Sequence, residues 1–153
     1  MDEKIKFMRH ALGRAKTAAA HGETPVGAVI VKDGKIIAGG RNRRENGKNA
    51  LYHAEIAAID AACRRLGGWR LVGCDLYVTL EPCPMCAGAI INARIENVYF
   101  GAYDKKAGSF GSIADFNAFG YNHKPHVVGG ILEQECSQIM SDFFKVLRHN
   151  KKG

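Results

Sequence analysis

Two short motifs in this 153-residue chain carry side chains that could do chemistry. His-Ala-Glu occupies positions 53 to 55, and Pro-Cys-Pro-Met-Cys occupies positions 82 to 86. His53, Cys83 and Cys86 offer one imidazole and two thiolates, which are ligands that zinc prefers. No fourth ligand is close in sequence, and three protein ligands with one position left for water are typical of a catalytic zinc site. We therefore predict that Zn²⁺ is bound by these three residues.

Glu55 suits a different role. His53 and Glu55 are two residues apart, about 200° around a regular helix, so both can face one site only if the helix begins irregularly. Zinc lowers the pKa of a bound water from ~15.7 towards ~7, and a nearby carboxylate can take the proton and later return it. Glu55 is thus predicted to be the catalytic residue and not a metal ligand.

Each motif alone has a simpler explanation. His-x-Glu also fits a surface histidine followed by a glutamate that the helix dipole favours, and Cys-x-x-Cys also occurs in redox pairs and in halves of structural zinc sites. The two motifs in this order, with proline before the first cysteine, form the signature of zinc-dependent nucleobase deaminases. Both motifs lie where helices are expected to begin, so we expect the dipole to lower the pKa of Cys83 and Cys86.

The elements that must position these motifs follow from the apolar pattern. Asp33-Gly34 between two apolar runs predicts a β-hairpin with a tight turn. A stripe of Ile56, Ala57, Ile59, Ala62 and Cys63 is expected to face the core from a helix over 53–66. The remaining predicted elements are a first helix over 1–20 that is ended by Gly22, strands over 75–80, 97–103 and 126–132, and helices over 84–94 and 133–152.

This order of elements predicts an α/β fold, a three-layer α/β/α sandwich around a mixed central sheet. The whole chain, 1–153, is expected to form a single domain. The stretch from Gly101 to His126 is long for a connection and is a candidate substrate loop. The other cysteines, at 63, 74 and 136, are expected to be buried free thiols.

Composition narrows the partners and the location. Twenty-two Lys and Arg against 15 Asp and Glu give a net charge of +7, which favours a polyanionic partner. No stretch approaches the roughly 18 apolar residues of a membrane-spanning helix. The charged start "MDEKIKFMRH" does not resemble a signal peptide, so a cytoplasmic protein without membrane contact is expected.

Several longer stretches resemble the bacterial tRNA-specific adenosine deaminases, a family within the zinc-dependent cytidine deaminase-like superfamily. They include "TPVGAVIV", "HAEIAAI", "LYVTLEPCPMCAGAIINARI", "FGAYDKKAGSFGS" and "GGILEQECSQIMSDFFKVLR". The resemblance implies hydrolytic deamination of adenosine to inosine at the wobble position of a tRNA anticodon. It also implies one zinc ion per subunit and a homodimer.

The same resemblance implies roles for residues outside the motifs. Asn42 matches the family's base-contacting asparagine, and Val26 and Ala54 would line the base pocket. Asp104 would lie in the loop that handles the flanking nucleotide. On the last helix, Phe144 and Arg148 would contact the anticodon stem-loop.

Two alternatives remain open. The segment Asn49 to Tyr52 departs from the family pattern, and the bulky Tyr52 next to His53 leaves room for a deaminase of a free purine, such as guanine, or of a nucleoside. A zinc-binding module that holds RNA without turnover is the other alternative. It differs in predicting that Glu55→Ala leaves function intact.

Overall fold

A computed structural model describes residues 2–152, with side chains through residue 150. The elements are α1 (Glu3–Ala20), β1 (Gly27–Lys32), β2 (Lys35–Arg41), α2 (Ala54–Leu66), β3 (Cys74–Leu80), α3 (Pro84–Ala93), β4 (Asn97–Ala102), β5 (His126–Val128) and α4 (Glu133–Lys152), with a 3-10 turn at Phe116–Ala118. The predicted order of helices and strands is confirmed.

The five strands form one sheet in the order β2-β1-β3-β4-β5. β1 pairs antiparallel with both β2 and β3, whereas β4 pairs parallel with both β3 and β5. β3 and β4 are connected by α3, and β4 and β5 by the long segment 103–125 with its 3-10 turn, because parallel strands need a crossover. The predicted mixed sheet is therefore confirmed.

Two apolar clusters separate the sheet from helices on either face. One cluster joins α2 and α3 to the sheet through residues such as Ala58, Ile90 and Val78. The other joins α1 and α4 to the opposite face through Met8 and Cys136. Helices on both faces of the sheet make the α/β/α sandwich that the sequence predicts.

The hairpin between β1 and β2 turns where the sequence predicts. Asp33 and Gly34 both have positive φ angles, 51° and 75°, as a type I′ turn requires. The hairpin leaves β2 at the edge of the sheet, where the chain runs on to Asn42 and then to α2.

The predicted apolar stripe of α2 is wrong in detail. Its buried face consists of Ala54, Ala58 and Ala62, whereas Ile56, Ala57 and Ile59 are only half-buried. The reason is the closeness of α2 to β2: a Cβ atom on Gly40 would overlap the Ala54 carbonyl oxygen. Only small side chains, such as Ala57, fit at this contact, so Ile56 and Ile59 lie at its margin. Ala62 is buried as predicted, and Ile59 and Cys63 pack against the edge of the core.

Two smaller differences from the prediction concern the last strand and the burial of Cys63. The predicted strand over 126–132 is limited to β5, because the glycines that follow break it. Cys74 and Cys136 are buried as expected, and Cys63 is half-buried. Within residues 2–152, no helix is long and apolar enough to cross a membrane.

Candidate active site

The two motifs lie at the starts of α2 and α3, in the same layer of the sandwich. His53 is the residue before α2 and has an extended backbone, with φ −84° and ψ 156°. Cys83 has the corresponding position before α3, whose first residue is Pro84. Neither side chain caps its helix. Both are therefore free to bind something else, as the irregular helix start in the prediction requires.

The three predicted ligands converge. The nearest ligand atoms of His53, Cys83 and Cys86 all lie within 4.8 Å of one another. Nδ1 of His53 is 3.6 Å from the Sγ atom of each cysteine. Tetrahedral zinc with Zn–N of about 2.05 Å and Zn–S of about 2.3 Å would hold a nitrogen and a sulfur about 3.6 Å apart. The donor atoms thus fit a zinc ion in type and in spacing.

The closeness of these groups changes their acidity. A hydrogen bond from Cys86, with a further one from His53, lowers the pKa of Cys83 to about 4. The pKa of Cys86 is raised, because Cys86 donates to Cys83 and is buried. The two shifts have opposite directions because one thiol donates to the other, whereas the sequence analysis expected the helix dipole to lower the pKa of both. Two adjacent thiolates repel each other, and a divalent cation between them offsets that repulsion.

Glu55 lies in the first turn of α2 with only 4% of its surface exposed. Burial raises the pKa of its carboxyl group to about 7. Glu55 lines a cavity of about 620 Å³ together with His53 and Cys83. A carboxylate and the metal-ligand cluster therefore face one space that is large enough for a nucleoside.

Most of the other predicted site residues line the same cavity. Val26, Asn42, Ala54, Asp104 and Phe144 do so, although they come from five separate parts of the chain. Arg148 is exposed on α4, four residues beyond Phe144, and does not line the cavity.

Asn42 is oriented by the segment that follows β2. It is 7% exposed, and its carboxamide oxygen accepts a hydrogen bond of 3.0 Å from the Arg44 N–H. Its NH₂ group makes no hydrogen bond with the described residues. Asn42 therefore presents a donor to the cavity in a fixed orientation.

The loop that carries Asp104 is shaped by hydrogen bonds to side-chain oxygens. The Asp104 carboxylate accepts from the N–H groups of Lys106 and Ala107, at 3.0 and 3.3 Å. This carboxylate therefore organises the turn of the loop, whereas Lys105 and Lys106 bring cationic side chains to the cavity.

Glu81 is a site residue that the sequence analysis missed. It is 1% exposed and accepts hydrogen bonds from the N–H groups of Asp104, Phe110 and Ser112 and from the Ser112 hydroxyl. A Cβ atom on Gly108 would overlap its carboxylate. Its place directly before the Pro-Cys motif was the available signal, because a glutamate there follows a strand whose residues 76–79 are buried.

Tyr52 does not line the cavity that contains Glu55. Its ring packs on Gly47, where a Cβ atom would overlap it, and the Arg43 guanidinium lies 5.3 Å from the ring centroid. The tyrosine therefore points away from the metal ligands, although it directly precedes His53. Its bulk does not restrict the candidate substrate cavity.

Comparison with known proteins places these features in context. Residues 1–102 match the model of the cytidine and deoxycytidylate deaminase zinc-binding region. A tRNA-specific adenosine deaminase of Bacillus subtilis (strain 168) is 49% identical, over 100% of this chain and 96% of that protein. A tRNA-specific adenosine deaminase of Agrobacterium fabrum is 46% identical, over 97% and 98%.

Solved structures of two kinds of deaminase have a similar fold. A structure from a study of A-to-I editing by tRNA:A34 deaminases at the wobble position superposes with a TM-score of 0.85 at 47% identity, covering 88% of this chain and 98% of that one. A guanine deaminase from Bacillus subtilis superposes with a TM-score of 0.64 at 40% identity, covering 78% and 76%.

Proposed function

Since this chain belongs to the tRNA-specific adenosine deaminase family, we propose that it converts adenosine to inosine at the wobble position of a tRNA anticodon by hydrolysis. One observation carries the proposal. The His53, Cys83 and Cys86 cluster, the buried Glu55 and the oriented amide of Asn42 belong to one site beside a single nucleoside-sized cavity. Metal activation, proton transfer and recognition of a purine edge are the three things that this reaction needs.

Zinc is the cofactor, and His53, Cys83 and Cys86 would hold it. When bound, the ion acts as a Lewis acid that lowers the pKa of water at its open position. Cys83 directly precedes α3, whose unpaired N–H groups and positive dipole end favour the thiolate form of Cys83.

Glu55 is assigned the proton transfers. In the overall reaction, water and adenosine give inosine and ammonia, so oxygen bonds to C6 and the C6–N bond breaks. The Glu55 carboxylate accepts a proton from the attacking water and delivers it to the ring nitrogen N1. It then accepts the second proton from the oxygen now bonded to C6 and delivers it to the exocyclic amine, which leaves as ammonia. Its burial in α2 keeps bulk water from competing for these protons.

The rest of the cavity is assigned to the substrate. Asn42 donates its NH₂ group to an acceptor of the base, and Val26 and Ala54 contact the flat faces of the base. Asp104 orders the loop beside the flanking nucleotide, and Phe144 offers a ring for stacking. Arg148 lies further along α4, where a guanidinium can reach a phosphate.

Broader properties accompany this proposal. The chain would act as one domain over 1–153, as a homodimer, and in the cytoplasm, where tRNA is available. The net charge of +7 supports binding of the RNA backbone.

The direct test is incubation of zinc-loaded protein with an anticodon stem-loop that carries a wobble adenosine. Inosine should form, and a stem-loop with adenosine only at another position should remain unchanged. Guanine and free adenosine are the competing substrates. Turnover of guanine without turnover of the RNA would replace this proposal with a free-purine deaminase, which the similarity to the guanine deaminase structure supports.

Variants separate catalysis from simple binding. Glu55→Ala should retain zinc and RNA binding but lose inosine formation, whereas His53→Ala and Cys86→Ala should lose the metal. Full activity of Glu55→Ala would instead indicate that the carboxylate has no part in the reaction.

A further inference from the structure

A second cavity, of about 660 Å³, lies beside the edge strand β2 and the start of α2. Its lining includes Arg14, Arg41, Arg43 and Arg64, and we call it the arginine cavity. Asp60 is the acidic residue of its lining, and it already pairs with Arg64 at 3.0 Å. Among the residues that the structure describes, the other three arginines make no ion pair.

Two of the unpaired guanidinium groups are held in place by their neighbours. Arg14 lies against Gly39, so closely that a Cβ atom there would be 2.6 Å from its Cζ atom. The Arg43 guanidinium lies over the ring of Tyr52, with 5.3 Å between Cζ and the ring centroid. Side chains positioned before binding lose less conformational entropy when a ligand arrives.

Arg41 supplies an independent sign of a missing ligand. Its Nη1 atom is buried and has no hydrogen-bond partner among the described residues. A buried donor without an acceptor is unfavourable, and a charged donor more so. Arg41 also lines the cavity, so rotation of its side chain would bring this nitrogen to an anion bound there, and the planar guanidinium matches the oxygens of a phosphate.

The arginine cavity is adjacent to the candidate active site. Arg41 and Arg43 line the former, whereas Asn42 and Arg44 line the cavity that contains Glu55. Neighbouring residues of an extended chain point to opposite sides, so one stretch of backbone separates the two cavities. An RNA strand with a base in one cavity therefore passes close to the other.

We propose that the arginine cavity binds phosphate groups of the tRNA outside the nucleotide that is deaminated. This inference rests on the proposed function, because it takes the polyanion to be the substrate RNA. It gives Tyr52 a role in holding Arg43 over the cavity, and it explains why Arg41 can leave a guanidinium nitrogen buried without a partner.

The test uses two exposed arginines and one matched control. Arg14→Gln and Arg43→Gln each remove one charge from the cavity rim, where both side chains are exposed. Arg70→Gln is the control, because Arg70 is also exposed and also stacks on an aromatic ring, 4.5 Å from the centroid of Trp69, but lies outside the cavity. Arg41→Lys keeps the charge and removes only the forked geometry.

Binding of full-length tRNA is measured by fluorescence anisotropy over a range of salt concentrations. Arg14→Gln and Arg43→Gln should each weaken binding by about three- to tenfold near 0.1 M salt and reduce the slope of log affinity against log salt by about 0.7 to 0.9, the contribution of one phosphate contact. Arg41→Lys should weaken binding but leave the slope unchanged, because its charge is kept. Arg70→Gln should change neither quantity. Equal behaviour of Arg14→Gln, Arg43→Gln and the wild type would overturn the inference.

Competition identifies the ligand. At equal ionic strength, inorganic phosphate should displace more tRNA from the wild type than chloride does. This difference between the two salts should be smaller in Arg14→Gln. If the variants instead dissociate a dimer in sedimentation experiments while RNA affinity is unchanged, the cavity serves a second copy of the chain and the inference is wrong.

Failure here can be told apart from failure of the proposed function. Inosine formation with no effect of the arginine variants would remove only the arginine cavity. If the arginine variants lose salt-dependent tRNA binding but the wild type forms no inosine, the arginine cavity would still be a tRNA-binding site. The deaminase proposal alone would then be wrong.

Discussion

Replacement of Glu81 by glutamine tests how the wall of the catalytic cavity is held. The Glu81 carboxylate is buried, and all four hydrogen bonds that it accepts come from the loop over 104–112. Glutamine has the same shape, but one of its two positions carries an NH₂ group that cannot accept. At least one N–H group of the loop must therefore lose its acceptor.

The two orientations of the glutamine differ in cost. With NH₂ in place of Oε2, the N–H groups of Phe110 and Ser112 both lose an acceptor, whereas with NH₂ in place of Oε1 only Asp104 N–H does, because the Ser112 hydroxyl can turn to accept. The second orientation should be adopted. One buried unpaired donor costs about 1–3 kcal/mol, which lowers the melting temperature of a domain of this size by about 2–12 °C.

The functional effect should fall on substrate binding. Asp104 N–H is the group that loses its partner, and residues 102–107 form one wall of the cavity. We expect KM for the anticodon stem-loop to rise about tenfold while zinc content stays at one ion per chain. Calorimetry, metal analysis and steady-state kinetics measure the three quantities, and Glu96→Gln, an exposed site without such bonds, is the control. An unchanged melting temperature with unchanged KM would refute the reasoning, and loss of zinc would place the effect at the metal ligands.

Three further outcomes follow from packing, acidity and metal binding. Gly40→Ala should force α2 away from β2, so thermal unfolding should show lower stability and metal analysis lower zinc affinity. Gly68→Ala is the control, because open space surrounds Gly68, and it should change neither quantity. Burial raises the pKa of Cys136 to about 12, so the folded state keeps a proton that the unfolded thiol loses above its ordinary pKa of about 8.5. Stability should then fall by about 1.4 kcal/mol per pH unit across that window, and Cys136→Ala should flatten this alkaline slope in urea titrations. Removal of zinc with a chelator should lower the melting temperature of the wild type and leave that of Cys86→Ala unchanged.

Local signals predicted much of this molecule. The positive-φ turn at Asp33-Gly34 and the proline at the start of α3 act through neighbouring backbone, so they can be read from a few letters. The zinc cluster could also be predicted, because its donors are rare residue types at helix starts. The inner face of α2 could not, since its alanines are buried through the closeness of β2, which depends on Gly40.

The same distinction separates the predicted from the missed parts of the site. Glu81 acts through three residues that are 23 to 31 positions away along the chain, and no spacing rule connects them. The neighbouring position of Tyr52 and His53 suggested a shared space, yet both residues precede α2, where His53 is extended, and neighbouring side chains on extended backbone point to opposite sides. Contacts of this kind depend on tertiary structure and appear only once the chain is folded.

The distribution of the cavity lining along the chain has a consequence for how such enzymes can diverge. The metal donors and Glu55 all fall between residues 53 and 86, on two helices of one layer, whereas one wall of the cavity comes from residues 102–107 and from α4. The metal donors and this wall of the cavity therefore lie in separate stretches, whereas Val26, Asn42 and Ala54 place the other wall beside the metal donors. A chimera that takes residues 101–152 from a guanine deaminase should still bind zinc but lose affinity for the anticodon stem-loop, so a lineage can change the molecule that carries its base without rebuilding its chemistry.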